Sequence, residues 1–234
     1  MYLLPFPILG ALLAWGTIYY LGFRKQMWGE FLLGLAAFFI AMVVQNPVQQ
    51  LPLLGMGIKS NADVIARGTA FTVGVSIWLG LVAGVVQEGI KYLLVKGKSL
   101  TTGVFLGLGF GVTEALVLAA MAVAGALATG ASLEVSPGTA VLSMAERYFT
   151  VLFHVGTAVY LAYAYREGFG REGLITVVIL HTIIDSLAAY YQLTKNEPLL
   201  YAVEVLVAVI ALALMYHTIP KAKVEFPKEE ATMW

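Results

Sequence analysis

Residues 69–95 read TAFTVGVSIWLGLVAGVVQEGIKYLLV, an apolar stretch whose only charged residues are Glu88 and Lys91. About 20 apolar residues cross the hydrocarbon core of a bilayer as a helix, so this stretch is long enough to span one. A charged side chain at the bilayer centre costs about 2.5–3.5 kcal/mol even on insertion-based scales. Glu88 and Lys91 are three residues apart and share one helix face. They are therefore either an ion pair that satisfies itself or part of a site.

The same anomaly recurs along the chain, at Glu114, Arg147, His154, His181 and Asp185. The composition agrees with a membrane setting. The 234 residues are 60% hydrophobic and only 12% charged, with mean hydropathy +0.85, whereas soluble domains are about 25% charged. Zero net charge gives no basis for nucleic-acid binding. The absence of cysteine excludes disulfides, thiolate metal ligands and a cysteine nucleophile. The first apolar segment is too long for a signal peptide and reads as a retained helix.

Seven stretches qualify as spans: residues 3–23, 31–54, 69–95, 101–129, 139–165, 174–191 and 199–219. Pro47 and Pro52 are expected to kink or end the second, and the link 55–68 to hold a short interfacial segment. The loops after spans one, three, five and seven carry Arg24, Lys25, Lys96, Lys98, Arg166, Arg171, Lys221, Lys223 and Lys228. The other side carries only Lys59, Arg67 and Lys195. By the positive-inside rule the N-terminus is outside and the C-terminus cytoplasmic. The expected fold is thus an all-α, seven-span membrane protein, one domain over residues 1–219, with a charged, flexible cytoplasmic tail over 220–234. Trp28, Tyr190, Tyr191 and Trp234 read as interfacial anchors, and Glu204 as structural.

Helical rise is 1.5 Å per residue. Glu88, eight residues before Lys96, lies about 12 Å from the basic end of its span. His154 and His181 come out at similar depth, and Glu114 slightly deeper. Four spans thus bring polar residues to one level. Gly103, Gly107 and Gly111 form a smooth stripe for close helix approach, expected to bring the fourth span against Glu88. Arg147 and His154 are seven apart, two turns along one face. Arg147 suits a clamp on Glu114 or Glu88. His181 and Asp185, four apart, also share a face: a metal half-site, a His oriented by a carboxylate, or a donor pair for an oxyanion.

These four patches, in this order, resemble the glutamic-type intramembrane proteases: the CAAX prenyl endopeptidases, the bacteriocin-immunity-type proteases, and the PrsW and YhfC families. Gln87, Glu88 and Lys91 match the Glu-Glu-x-x-Lys/Arg motif. Phe110 and Glu114 match a PrsW-like Phe-x-x-x-Glu. GLGFGVTEA (107–115) and Gln45-Asn46-Pro47 look like YhfC motifs, with Phe110 where that family has His. Arg147 with His154, and His181 with Asp185, match the remaining two. The motifs cover roughly residues 84–185; each alone is weak, and their order carries the resemblance. It implies an endopeptidase of the prokaryotic inner membrane, acting on membrane-embedded or membrane-anchored peptides or proteins, with a homodimer open to it. Gln87, Glu88, Glu114, His154, His181 and Asp185 would be its catalytic residues, with Lys91 and Arg147 in support.

One departure matters. Gln87 stands where the family has its first glutamate, and an amide cannot take a proton from water. Either Glu88 serves alone, or Gln87, natural or introduced, disables the enzyme. Peptide hydrolysis needs an activated water, a stabilised oxyanion and a protonated leaving amine. A carboxylate at 87 or 88 with His154 would supply the first, His181 and Asp185 the second, in a cavity open to the cytoplasm. No cofactor is required. The rivals are a zinc-dependent protease with Glu88, His154 and His181 as ligands, and a proton or metal-ion transporter or channel; no inverted repeat between the halves supports transport.

Overall fold

The structure of the protein, a computed structural model, describes residues 5–231. Its regular elements are eight α-helices: α1 (Pro5–Tyr20), α2 (Trp28–Gly55), α3 (Asn61–Ala66), α4 (Thr69–Val95), α5 (Leu100–Thr129), α6 (Pro137–Arg166), α7 (Gly170–Thr194) and α8 (Glu197–Ala231). Five of them, α2, α4, α5, α7 and α8, are long and apolar enough to cross a membrane. α1 has 16 described residues, and α6 carries Glu146, Arg147 and His154 within its apolar run. The expected anchor Trp234 lies outside the described residues.

The hub is α6, which packs against α1, α4, α5, α7 and α8. Its middle, from Val151 to Val159, is buried on every side. Around it α2 touches α4 and α5, and α4 touches α7, whereas among the described residues α5 and α7 do not meet. That leaves a space bounded by α2, α4, α5 and α7.

The basic loops gather on one face. Phe23, after α1, stacks on Phe105 and Phe226 at ring separations of 6.4 and 5.3 Å. Glu225 of α8 accepts the Leu100 N–H at 2.7 Å, which caps the start of α5, and pairs with Arg166 at the end of α6. On the opposite face Leu53, Ile58, Val64, Val75 and Leu193 form a small core, joining the α2–α4 link to the end of α7. There α3 starts in a capping box, with Ser60 and Asp63 each accepting the other's backbone N–H. The N–H of Lys59 and the hydroxyl of Ser60 hold the Asp63 carboxyl below its ordinary range.

Of the two outcomes expected for the prolines, an end to the helix is excluded: α2 runs through both Pro47 and Pro52. Gln49 helps: its side chain donates to the Leu79 carbonyl at 2.8 Å, and its own carbonyl accepts from the Trp78 indole at 3.3 Å. Neighbouring α4 thus supplies hydrogen bonds beside the proline-interrupted ladder. Nor does the last helix stop at residue 219. It continues to Ala231, because Ala222 and Phe226 pack into the main core while Glu225 makes its cap and ion pair.

Glycines set the helix spacing, and they correct another expectation. The stripe Gly103, Gly107 and Gly111 faces α6 rather than Glu88. A Cβ on Gly107 would lie 2.5 Å from the His154 carbonyl oxygen, and one on Gly103 2.9 Å from the Val159 Cα. Glu88 is served by other glycines: Gly80 and Gly84 let α4 approach Thr182 and Ser186 of α7. At the α2–α5 crossing a Cβ on Gly109 would collide with the Phe31 carbonyl oxygen. Gly109→Ala is therefore expected to destabilise by about 1–3 kcal/mol through overpacking. Gly125 has open space around it, and Gly125→Ala is expected to stabilise by about 0.5–1 kcal/mol. Thermal unfolding of both purified variants in one detergent checks the opposite signs.

Candidate functional site

At the centre lies the Lys91 ammonium, with no solvent exposure. It donates to Glu88 Oε1 at 2.7 Å, Thr157 Oγ1 at 2.8 Å and His154 Nδ1 at 3.0 Å. An ammonium has three donors and no acceptor, so all three are used. The rings of Phe110 and Phe153 cover it, with centroids 5.2 and 5.9 Å away.

The arrangement dictates the tautomer of His154. Its Nδ1 accepts from Lys91, so its proton is on Nε2, which donates to Glu114 Oε2 at 2.6 Å. The other Glu114 oxygen faces Arg147 Nη1 at 3.4 Å, and Arg147 is in turn paired with Glu146. Arg147 is thus a clamp on Glu114, not on Glu88. On the far side of Lys91, Glu88 Oε1 accepts a second bond from His181 Nδ1 at 2.6 Å, and His181 Nε2 faces Asp185 Oδ2 at 3.4 Å. The two imidazole centroids are 5.6 Å apart.

All six proposed catalytic positions therefore sit in or beside one cluster, drawn from α4, α5, α6 and α7, but they are not equally accessible. A cavity of about 330 Å³ touches Gln87, Glu114 and Asp185. Glu88 has no exposure, and His154 and His181 have 1% and 3%. Glu88 with Lys91 is a buried ion pair; the carboxylates reaching the cavity are Glu114 and Asp185. Gln87 lies on the cavity wall, its amide donating to Gln45 Oε1 at 3.0 Å.

The direction of the cavity overturns the expectation of an opening toward the basic loops. Its lining runs from Glu114 to Leu118 and Met121 on α5, from Asp185 to Ala188 and Gln192 on α7, and from Gln87 back to Leu79 on α4. Each step leads away from the face where Phe23, Leu100, Arg166 and Glu225 meet. A zinc set of Glu88, His154 and His181 is not assembled, since the Lys91 ammonium stands between Glu88 and His154. Among the described residues no three His, Asp or Glu side chains group as a metal requires.

Sequence reasoning passed over Thr157, the third acceptor for Lys91, and Gln192 on the cavity wall. Both were reachable by helical spacing: Thr157 is three residues after His154, and Gln192 seven after Asp185. Glu204, read as structural, lines a second cavity of about 450 Å³ together with Glu146 and Arg147. Compared with family models, curated proteins and solved structures, the chain matches none of them.

Breaking a buried ion pair from one side strands the other charge and costs about 3–5 kcal/mol. Lys91→Met is expected to lose stability on that scale. The Glu88→Gln, Lys91→Met double variant should recover part of it, because no isolated charge remains. Denaturation midpoints of the three proteins in detergent give the comparison.

Proposed function

We propose that the chain is an intramembrane endopeptidase that hydrolyses peptide bonds in or near the bilayer with a carboxylate-activated water. One observation carries this reading. Two carboxylate–imidazole pairs, Glu114 with His154 and Asp185 with His181, stand back to back, and the carboxylate of each reaches the same cavity. In this scheme Glu114, steadied by His154 and Arg147, takes a proton from water as the oxygen attacks the carbonyl carbon. His181, held between Glu88 and Asp185, fixes the second carboxylate at the cavity wall. The C–N bond then breaks, and the proton taken from water passes to the leaving amine. The order of the four patches, resembling the glutamic-type intramembrane proteases, agrees with the scheme.

In the bilayer, α1, α2 and α4–α8 serve as seven spans of a prokaryotic inner membrane, N-terminus outside. The gathering of basic loops on one face supports that orientation, and the cavity then opens toward the outer face. The chain lacks cysteine, so single cysteines report sidedness cleanly. Ser132→Cys should react with an impermeant reagent on intact cells and Lys223→Cys only after permeabilisation. Equal labelling of both from one side would sink the topology.

A transport reading draws on the series of contacts Glu114, His154, Lys91, Glu88, His181, Asp185, which the ammonium of Lys91, a donor only, interrupts as a relay. Both ends of that series lie on one cavity, however, so a proton moved along it returns to the compartment it left. The test is cleavage of a single-span reporter by the purified chain in liposomes. Glu114→Gln should lower turnover by about 10²–10⁴-fold, the usual worth of general-base assistance, with the fold intact. Proton or metal flux without cleavage would establish transport instead, and loss of cleavage in a chelator would establish metal dependence.

A further inference from the structure

Six uncharged amides share the cavity wall with Glu114, Asp185 and apolar side chains. Gln45, Asn46, Gln49 and Gln50 come from α2, Gln87 from α4 and Gln192 from α7. Bundle interiors are usually lined by apolar or small residues, so six primary amides at one cavity need a reason. Gln49 is spent on the Leu79 carbonyl; the other five are not consumed in that way. Among the described residues, the side chains of Asn46, Gln50 and Gln192 make no hydrogen bond to protein. Gln87 and Gln45 share one bond where an amide pair has the capacity for two, and the Gln87 Oε1 is left buried with no partner. Gln87 itself is only 8% exposed. Turning the amide over exchanges which atom meets Gln45 but still leaves one without a partner. A buried polar atom in that condition costs about 1–3 kcal/mol, and it lies on the wall of a cavity with room to supply one.

We propose that this wall binds the backbone of an extended peptide segment, with Gln87 and Gln45 hydrogen-bonding its peptide groups and Asn46, Gln50 and Gln192 flanking them. The proposal rests on the peptidase reading and names what that site holds. A primary amide offers two donors and an acceptor, which matches the N–H and C=O of a peptide group and favours no charge. No charged side chain on this part of the wall selects an anion or a cation. A transmembrane helix satisfies its backbone internally, so only a segment already unwound presents free groups here. The site therefore selects substrates by a helix-breaking stretch rather than by side-chain sequence. On this reading Gln87 is a binding and positioning residue, not a disabled base.

The probe is a synthetic single-span peptide with a Gly-Pro stretch, beside the same peptide with N-methylated backbone amides across that stretch. Both are titrated onto the full chain in nanodiscs, with Kd and cleavage kinetics measured together. Methylation is expected to weaken binding roughly fivefold, the worth of about one hydrogen bond. Gln87→Met should weaken the parent peptide by a similar factor and raise KM rather than lower kcat. In that variant methylation should cost little more. A photocrosslinker at the exposed Asn46, where folding is not at stake, should capture the parent peptide. Independent, multiplying effects of methylation and Gln87→Met would overturn the proposal. So would capture of lipid instead of peptide at Asn46, or a gain of several orders in turnover from Gln87→Glu, which would make position 87 the site of the base. Binding with this signature but no cleavage would leave the proposal standing and remove the peptidase reading. Cleavage with KM unmoved by Gln87→Met would do the reverse.

Discussion

The ammonium of Lys91 is the constraint around which the bundle is arranged. A cation without solvent exposure is tolerated only when every donor is met and an opposite charge is in contact. Those conditions draw Glu88 from the same helix and His154 with Thr157 from α6. His154 reaches Lys91 through Nδ1 and Glu114 through Nε2, so α5 and α6 must run close together, and Gly107 and Gly111 permit it. Glu88, holding Lys91 with one oxygen, holds His181 with the same oxygen, so α7 must lie close to α4, and Gly80 and Gly84 permit that. The positions of the glycines and of the charges are two sides of one requirement.

Much of this was legible in the sequence because a membrane makes charge conspicuous. Glu88, Glu114, Arg147, His154, His181 and Asp185 stand out against apolar surroundings, and spacings of three, four and seven residues assign them to common faces. The pairing of Glu88 with Lys91 and the clamp of Arg147 on a carboxylate follow from those spacings. Other features depend on which helix lies next to which, and no local pattern states that. The glycine stripe of α5 announces close approach but not that the partner is α6. Pro47 and Pro52 look like breakers until Trp78 and Leu79 of α4 are seen bonding to Gln49. The length of α8 depends on Glu225 finding Leu100 and Arg166. The direction of the cavity depends on α5 and α7 diverging, and polar residues on four separate helices do not reveal it.

The same central lysine bears on how the proposed chemistry divides its work. A proton relay needs groups that both donate and accept, and an ammonium only donates. Lys91 therefore separates the cluster into two halves instead of connecting them. On one side the Glu114 carboxylate, backed by a His154 whose Nε2 proton points toward it, is arranged to gain a proton from the cavity. On the other side His181 lies between the carboxylates of Glu88 and Asp185 and holds Asp185 at the cavity wall. Hydrolysis of a neutral amide calls for one group that takes a proton from water and later returns it to the leaving amine, and a base wired to a second carboxylate would share that proton with it. The buried ion pair of Glu88 and Lys91 does not reach the cavity, yet it keeps the Glu114 half and the Asp185 half of the site from becoming the same thing.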